Sequence, residues 1–251
     1  MRAMRKGQIV AMVAGLAIGA SAVALAAPDR GGSPAAAADP GRAAMEKIVR
    51  DYILDHPEII PEAMARLQER EAAQKVSASR KALETPFAGA WAGSARPDVT
   101  LVEFFDYACG FCRSSIPDVD RLLKEDPSLR IVFRELPILS AQSEVAARVS
   151  LAAAKQGRFI DFHRRLFAAG RPADPQIAAA QAAAGLNGAA VARDKNAGDV
   201  NSELAANLEL ARTLGLSGTP SFIVGDRILS GAVGYDELKK AVAAARAAKA
   251  G

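Results

Sequence analysis

Cys109-Gly110-Phe111-Cys112 places the chain's two cysteines two residues apart. At a helix start, that spacing brings both sulfurs within one turn. The first thiol then faces unpartnered backbone N–H groups at the positive end of the helix dipole, where an anion is favoured. A stabilised thiolate is a populated nucleophile at neutral pH and a good leaving group. The second thiol lies deeper, placed to attack a mixed disulfide on the first and release the substrate. Two other uses of the pair are weaker. A zinc site would need further donors, and the two histidines, His56 and His163, lie far apart in sequence. A purely structural disulfide over so short a loop gains little from loop closure.

Glu103 precedes Cys109 inside the apolar run Val99–Phe105. On a period-2 strand it shares a face with Leu101 and Phe105. A buried carboxylate is costly unless paired, so its pKa is expected to rise, and such a group could exchange a proton with Cys112. The competing reading is a strand-end glutamate that reaches solvent. Thr219-Pro220 stands directly before the run Ser221–Val224. An ordinary trans loop proline is the common case. With a cis bond, the Thr219 backbone would face the sulfurs and pair with an extended substrate segment.

Several elements must position these groups. Val99–Phe105 is short, β-branched and aromatic, as suits a strand covered on both faces. A helix is expected from near Cys109 to about Asp126, kinked at Pro117. Arg130–Glu135 predicts a second strand. A long helical region follows from about Ala141 to Leu214, with breaks at Gly170–Pro175 and Gly185–Gly188. Within it, Phe159, Phe162, Leu166 and Phe167 share a face, which makes His163 a satisfied core histidine. Ser221–Val224 and Arg227–Ser230 flank Gly225-Asp226 as a hairpin. Tyr235, Leu238 and Val242 stripe a C-terminal helix.

Upstream, Met45, Ile48, Val49, Tyr52 and Ile53 recur at helical spacing, and His56-Pro57 should end that helix. A second helix starts around Pro61. Beyond Leu67 its large apolar residues thin to Val76 and Leu83. Residues 43–85 therefore form a helical arm. Either it is a spacer behind an apolar tip, able to join copies of the chain through residues 43–83, or it packs on the main domain.

The N-terminus has the pattern of a secretory signal: Arg2, Arg5 and Lys6, an apolar run from Ile9, and Ala24-Leu25-Ala26 before a cut. An uncleaved membrane anchor facing the periplasm is the alternative. Residues 27–42, rich in Pro, Gly and Ala, predict a flexible linker. The 251 residues carry a formal charge of +4; removing residues 1–26, with three bases and no acid, leaves +1. That argues against a nucleic-acid partner. Half the residues are hydrophobic, which excludes a wholly disordered chain. An exported chain meets an oxidising compartment, where a cysteine pair can cycle.

Taken together, Glu103-Phe104-Phe105, Cys109-Gly110-Phe111-Cys112, the helical insertion and Gly218-Thr219-Pro220 resemble the DsbA-type thiol–disulfide oxidoreductases over roughly residues 97–248. The resemblance implies an α/β thioredoxin-like fold over residues 86–251 with a helical insertion at about 141–214. It implies Cys109 as nucleophile, Cys112 as resolving cysteine, Glu103 as buried acid and a cis Thr219–Pro220 bond. Gly110, Phe111, Thr219 and Pro220 would then face the substrate, with no cofactor beyond the Cys109–Cys112 pair and no resident metal. Val49–Leu54, His56-Pro57-Glu58 and Met64 resemble the arm of the suppressor-of-copper-sensitivity protein C group. In some of that group the arm makes trimers that shuffle disulfides; others are monomers. Unfolded or misoxidised secreted proteins and a membrane thiol–disulfide redox partner are the implied partners. The family's strong oxidase has proline and histidine between its cysteines. Without the imidazole beside the thiolate, this dithiol should be less oxidising, which suits an isomerase or moderate oxidase. A non-enzymatic surface protein and a copper-binding protein remain as alternatives.

Overall fold

The computed structural model describes residues 40–250, so the signal segment and all but the end of the linker lie outside the described residues. The chain divides into two compact units at His56/Pro57. In the first, helix α1 spans Pro40–Asp55 and begins inside the segment expected to be linker. Its Met45, Ile48, Val49, Tyr52 and Leu54 are exposed.

The second unit begins with α2 (Ile59–Glu84) and is built on a sheet of β1 (Trp91–Gly93), β2 (Val99–Phe105), β3 (Leu129–Glu135), β4 (Ser221–Val224) and β5 (Arg227–Ser230). The strand order is β1-β3-β2-β4-β5. Strand β2 is central, parallel to β3 and antiparallel to β4. Every residue of β2 is buried, Thr100 and Glu103 included, as suits a central strand covered on both faces. Helix α3 (Gly110–Glu125) links β2 to β3, and α9 (Tyr235–Ala250) closes the chain. Gly225, at φ +58°, takes the first position of the two-residue turn between β4 and β5.

Alternation along the strands sorts the core into two layers. Leu101, Phe105, Ile131, Phe133, Phe222 and Val224 pack on one face with α3, α9 and the aromatic residues of α5 (Phe159–Ala168). Val102, Phe104, Val132 and Ile223 pack on the other with Val76, Leu83, Ala211 and Leu214. The insertion comprises α4 (Ala141–Lys155), α5, α6 (Asp174–Ala183), α7 (Gly188–Asp194) and α8 (Gly198–Leu214). It serves both layers: α4 to α7 build the first, and α8 lies on the second.

The second half of α2 is therefore part of the domain, in line with the packed alternative that the sequence left open within the arm of residues 43–85. Val76 and Leu83 stand two turns apart on one helix face and are 0% and 1% exposed. Burying each is worth about 1.5–3 kcal/mol. Arg134 of β3 reaches the end of α2, donating to the carbonyls of Ala82, Leu83 and Thr85 and to Glu203 Oε1 of α8 at 2.7 Å. The last carbonyls of a helix have no partner within it, and this buried guanidinium supplies one.

Candidate active site

Cys109 is the N-cap of α3. Its sulfur accepts the N–H of Cys112 at 3.2 Å. The thiol also donates to the Thr219 carbonyl at 3.2 Å. The Thr219–Pro220 bond is cis. These groups are 110 residues apart in sequence and meet because of the sheet. β2 and β4 are antiparallel neighbours, with Phe104 opposite Ser221, so the chain leaving β2 emerges beside the chain entering β4. Both cysteines are free thiols, Cys109 5% and Cys112 1% exposed. Burial pushes the Cys112 thiol far above the ordinary cysteine range. It therefore needs a base to act as a nucleophile.

Glu103 is buried in register between Phe133 of β3 and Phe222 of β4. It shares the face of Leu101 and Phe105, as the period-2 reading requires, and does not reach solvent. Loss of hydration raises its pKa to about 8. Its charge in turn disfavours the Cys112 thiolate, so the two groups sense each other.

Gly110 and Phe111 open α3 at the surface. Phe111 is 69% exposed, and a Cβ on Gly110 would meet nothing within 4 Å. The position between the sulfurs is thus free to carry other side chains.

Sequence reasoning missed Asp106. Its buried carboxylate accepts the N–H groups of Ala108 at 2.7 Å and of Ile138 and Leu139 at 2.9 Å each. It ties the loop before Cys109 to the loop after β3, where Ile138 and Leu139 are exposed. A lone aspartate ending an apolar strand was the available signal. His163, placed in the aromatic core as expected, also borders the Glu103 site, with its pKa pushed down to about 3 by burial.

Comparison with known proteins follows this geometry. Residues 100–243 match the DSBA-like thioredoxin domain family, and the chain belongs to it. Residues 42–74 match the N-terminal domain of the copper resistance protein ScsC. A ScsC linker-deletion and N6K mutant from Proteus mirabilis is 28% identical, covering 86% of this chain and 99% of that one, with a TM-score of 0.68. A thioredoxin-like oxidoreductase from Silicibacter pomeroyi DSS-3 is 39% identical over 62% of this chain and 91% of that one, with a TM-score of 0.61. The Na(+)/H(+) antiporter NhaA 3 of Salinispora tropica is 32% identical over 61% of this chain. The chain spans 24% of that antiporter, about a quarter of the length of the curated relatives it matches.

Among the described residues, no helix is long and apolar enough to cross a membrane.

Proposed function

We propose that the chain is a periplasmic thiol–disulfide oxidoreductase acting on exported proteins, with isomerase or moderate oxidase duty. The observation that carries this is the placement of the Cys109 sulfur. It caps α3, touches the Thr219 carbonyl, and lies on the domain whose buried acid is Glu103.

The Cys109 thiolate attacks one sulfur of a client disulfide. A mixed disulfide forms, and the client's other sulfur leaves as a thiolate. The free edge of Thr219 is offered to the extended client segment. If a second client thiol attacks the mixed disulfide, the client is isomerised with no net electron transfer. If Cys112 loses its proton to Glu103 and attacks the Cys109 sulfur, the client leaves reduced by two electrons and Cys109–Cys112 becomes a disulfide. The reverse sequence oxidises a client. A membrane thiol–disulfide partner would restore the required state.

Helix α1 presents an apolar face in the segment that matches ScsC. We propose that this face joins copies of the chain, a trimer being the expected form. Several active sites facing one space would hold a misfolded client through repeated exchange.

A Cys112→Ser variant tests the exchange reading, since it should accumulate client proteins disulfide-linked to Cys109. Absence of any trapped client would discard the enzyme and favour a non-enzymatic surface protein.

The match of residues 42–74 to a copper resistance protein favours a second reading, Cu(I) held by the paired thiols. Repair of scrambled disulfides that persists with copper chelated would make copper binding secondary.

A further inference from the structure

Asp106 sits where the turn carrying the nucleophile meets the loop after β3. It directly follows the last residue of β2 and is 1% exposed. Its main-chain carbonyl accepts the Cys109 N–H at 3.0 Å. Its Oδ1 accepts the Ala108 N–H at 2.7 Å. The first bond closes a four-residue turn, and the second closes an Asx turn nested within it. Cys109 is the last residue of that turn and also the N-cap of α3. Where the turn stands therefore decides where the sulfur stands against the free N–H groups of the helix.

A side chain that made only this turn would be free to leave it. Asp106 is held from the other side, because Oδ2 accepts the N–H groups of Ile138 and Leu139 at 2.9 Å each. That second loop is itself fixed at both ends. Leu136 donates to the Phe105 carbonyl at 2.8 Å, and Ser140 caps α4. A carboxylate accepts at both of its oxygens, whereas the amide of asparagine has one accepting oxygen and would turn an N–H toward two donors. The two loops therefore share one carboxylate, and neither can shift without loosening the other's bonds.

The two redox states of the cysteine pair use this turn differently. In the dithiol, the start of α3 favours a thiolate on Cys109. In the disulfide there is no charge to favour. We propose that Asp106 is a positioning residue for Cys109, and that by clamping the nucleophile's turn to the loop after β3 it favours the dithiol over the disulfide. This rests on the proposed exchange chemistry, in which Cys109 carries the thiolate.

Linkage makes the coupling measurable in the unaltered chain. If the clamp favours the dithiol by some factor, it must open less often in the dithiol by the same factor. About tenfold is expected, within the range for a charge at a partly buried helix end. Amide hydrogen exchange of the full chain reads that opening at Ala108, Ile138 and Leu139. All three should exchange about tenfold more slowly in the dithiol than in the disulfide form. Equal rates in the two states, or a change shared by every amide of the sheet, overturn the proposal.

Asp106→Ala removes both side-chain clamps together with the charge. It should shift the equilibrium with glutathione about tenfold toward the disulfide. Loss of the charge alone acts the other way, since a carboxylate near a thiolate disfavours it. A shift toward the dithiol therefore overturns the proposal, and so does an unmoved equilibrium, the mark of a residue that stabilises both states alike. Asp106→Asn keeps the Asx-turn oxygen and loses the second clamp, so it should fall between Asp106→Ala and the wild type. None of these readouts uses a client, so a Cys112→Ser variant that traps none would sink only the proposed function.

Discussion

The Cys109 thiol and the Thr219 carbonyl lie 3.2 Å apart, joining the start of α3 to the loop before β4. A client segment that reaches the sulfur therefore meets a backbone acceptor beside it, and side-chain identity matters little to that contact. This suits an exchanger with many clients.

The residue between the sulfurs should tune the potential. Phe111 is exposed and Gly110 is unconfined, so Phe111→His is tolerated by the fold. An imidazolium beside the thiolate stabilises the reduced form. We expect the variant to be more oxidising by about 30 mV, a tenfold change in the exchange equilibrium, measured against glutathione. An unchanged or lower potential would contradict this account of the pair.

Glu103 should make stability depend on pH. Its folded pKa, about 8, lies above the ordinary glutamate value of 4.5. A raised folded value means stability is complete below pH 4.5 and declines as pH rises to about 8. Glu103→Gln removes that decline. It should exceed the wild type by about 3 kcal/mol at pH 7 in denaturant unfolding, and match it at pH 4. The same variant should release trapped client about 100-fold more slowly, because Cys112 loses its base.

Arg134 holds three elements together. Arg134→Met leaves Glu203 and the α2 carbonyls without their donor, and should cost about 3–5 kcal/mol in thermal or denaturant unfolding. A loss below about 1 kcal/mol would mean that the end of α2 is held by Val76 and Leu83 alone.

The boundary of the arm can be tested by truncation. Removing residues 27–56 should give a monomer by analytical ultracentrifugation and keep the domain's stability. Removing residues 27–83 also strips Val76 and Leu83 from the second core layer, and should lower the melting temperature. If the shorter truncation stays oligomeric, α1 is not the joining element.

The placement of the candidate site's residues was legible in the sequence because it is written locally. The two-residue gap at Cys109–Cys112, the period-2 position of Glu103 and the placement of Pro220 before Ser221 depend on one element each. The role of α2 was not. Val76 and Leu83 carried the right spacing, but two apolar residues in a polar helix do not say what lies opposite. β1 is three residues long and leaves no periodic trace. Asp106 acquires meaning only when the loops after β2 and β3 are packed together, since Ile138 and Leu139 come from a distant segment.

The order of the strands has a consequence for how this protein can vary. Everything from Ala141 to Leu214 enters after β3 and leaves before β4, while the reactive loops are gripped by two strands that are already neighbours. The outer surface of the intervening helices can change without altering how the sulfur and the carbonyl meet, while their inner faces are bound to the two core layers. Under the proposed function, the outer surface that would meet a client and the pair that would carry electrons then lie on separate parts of one polypeptide.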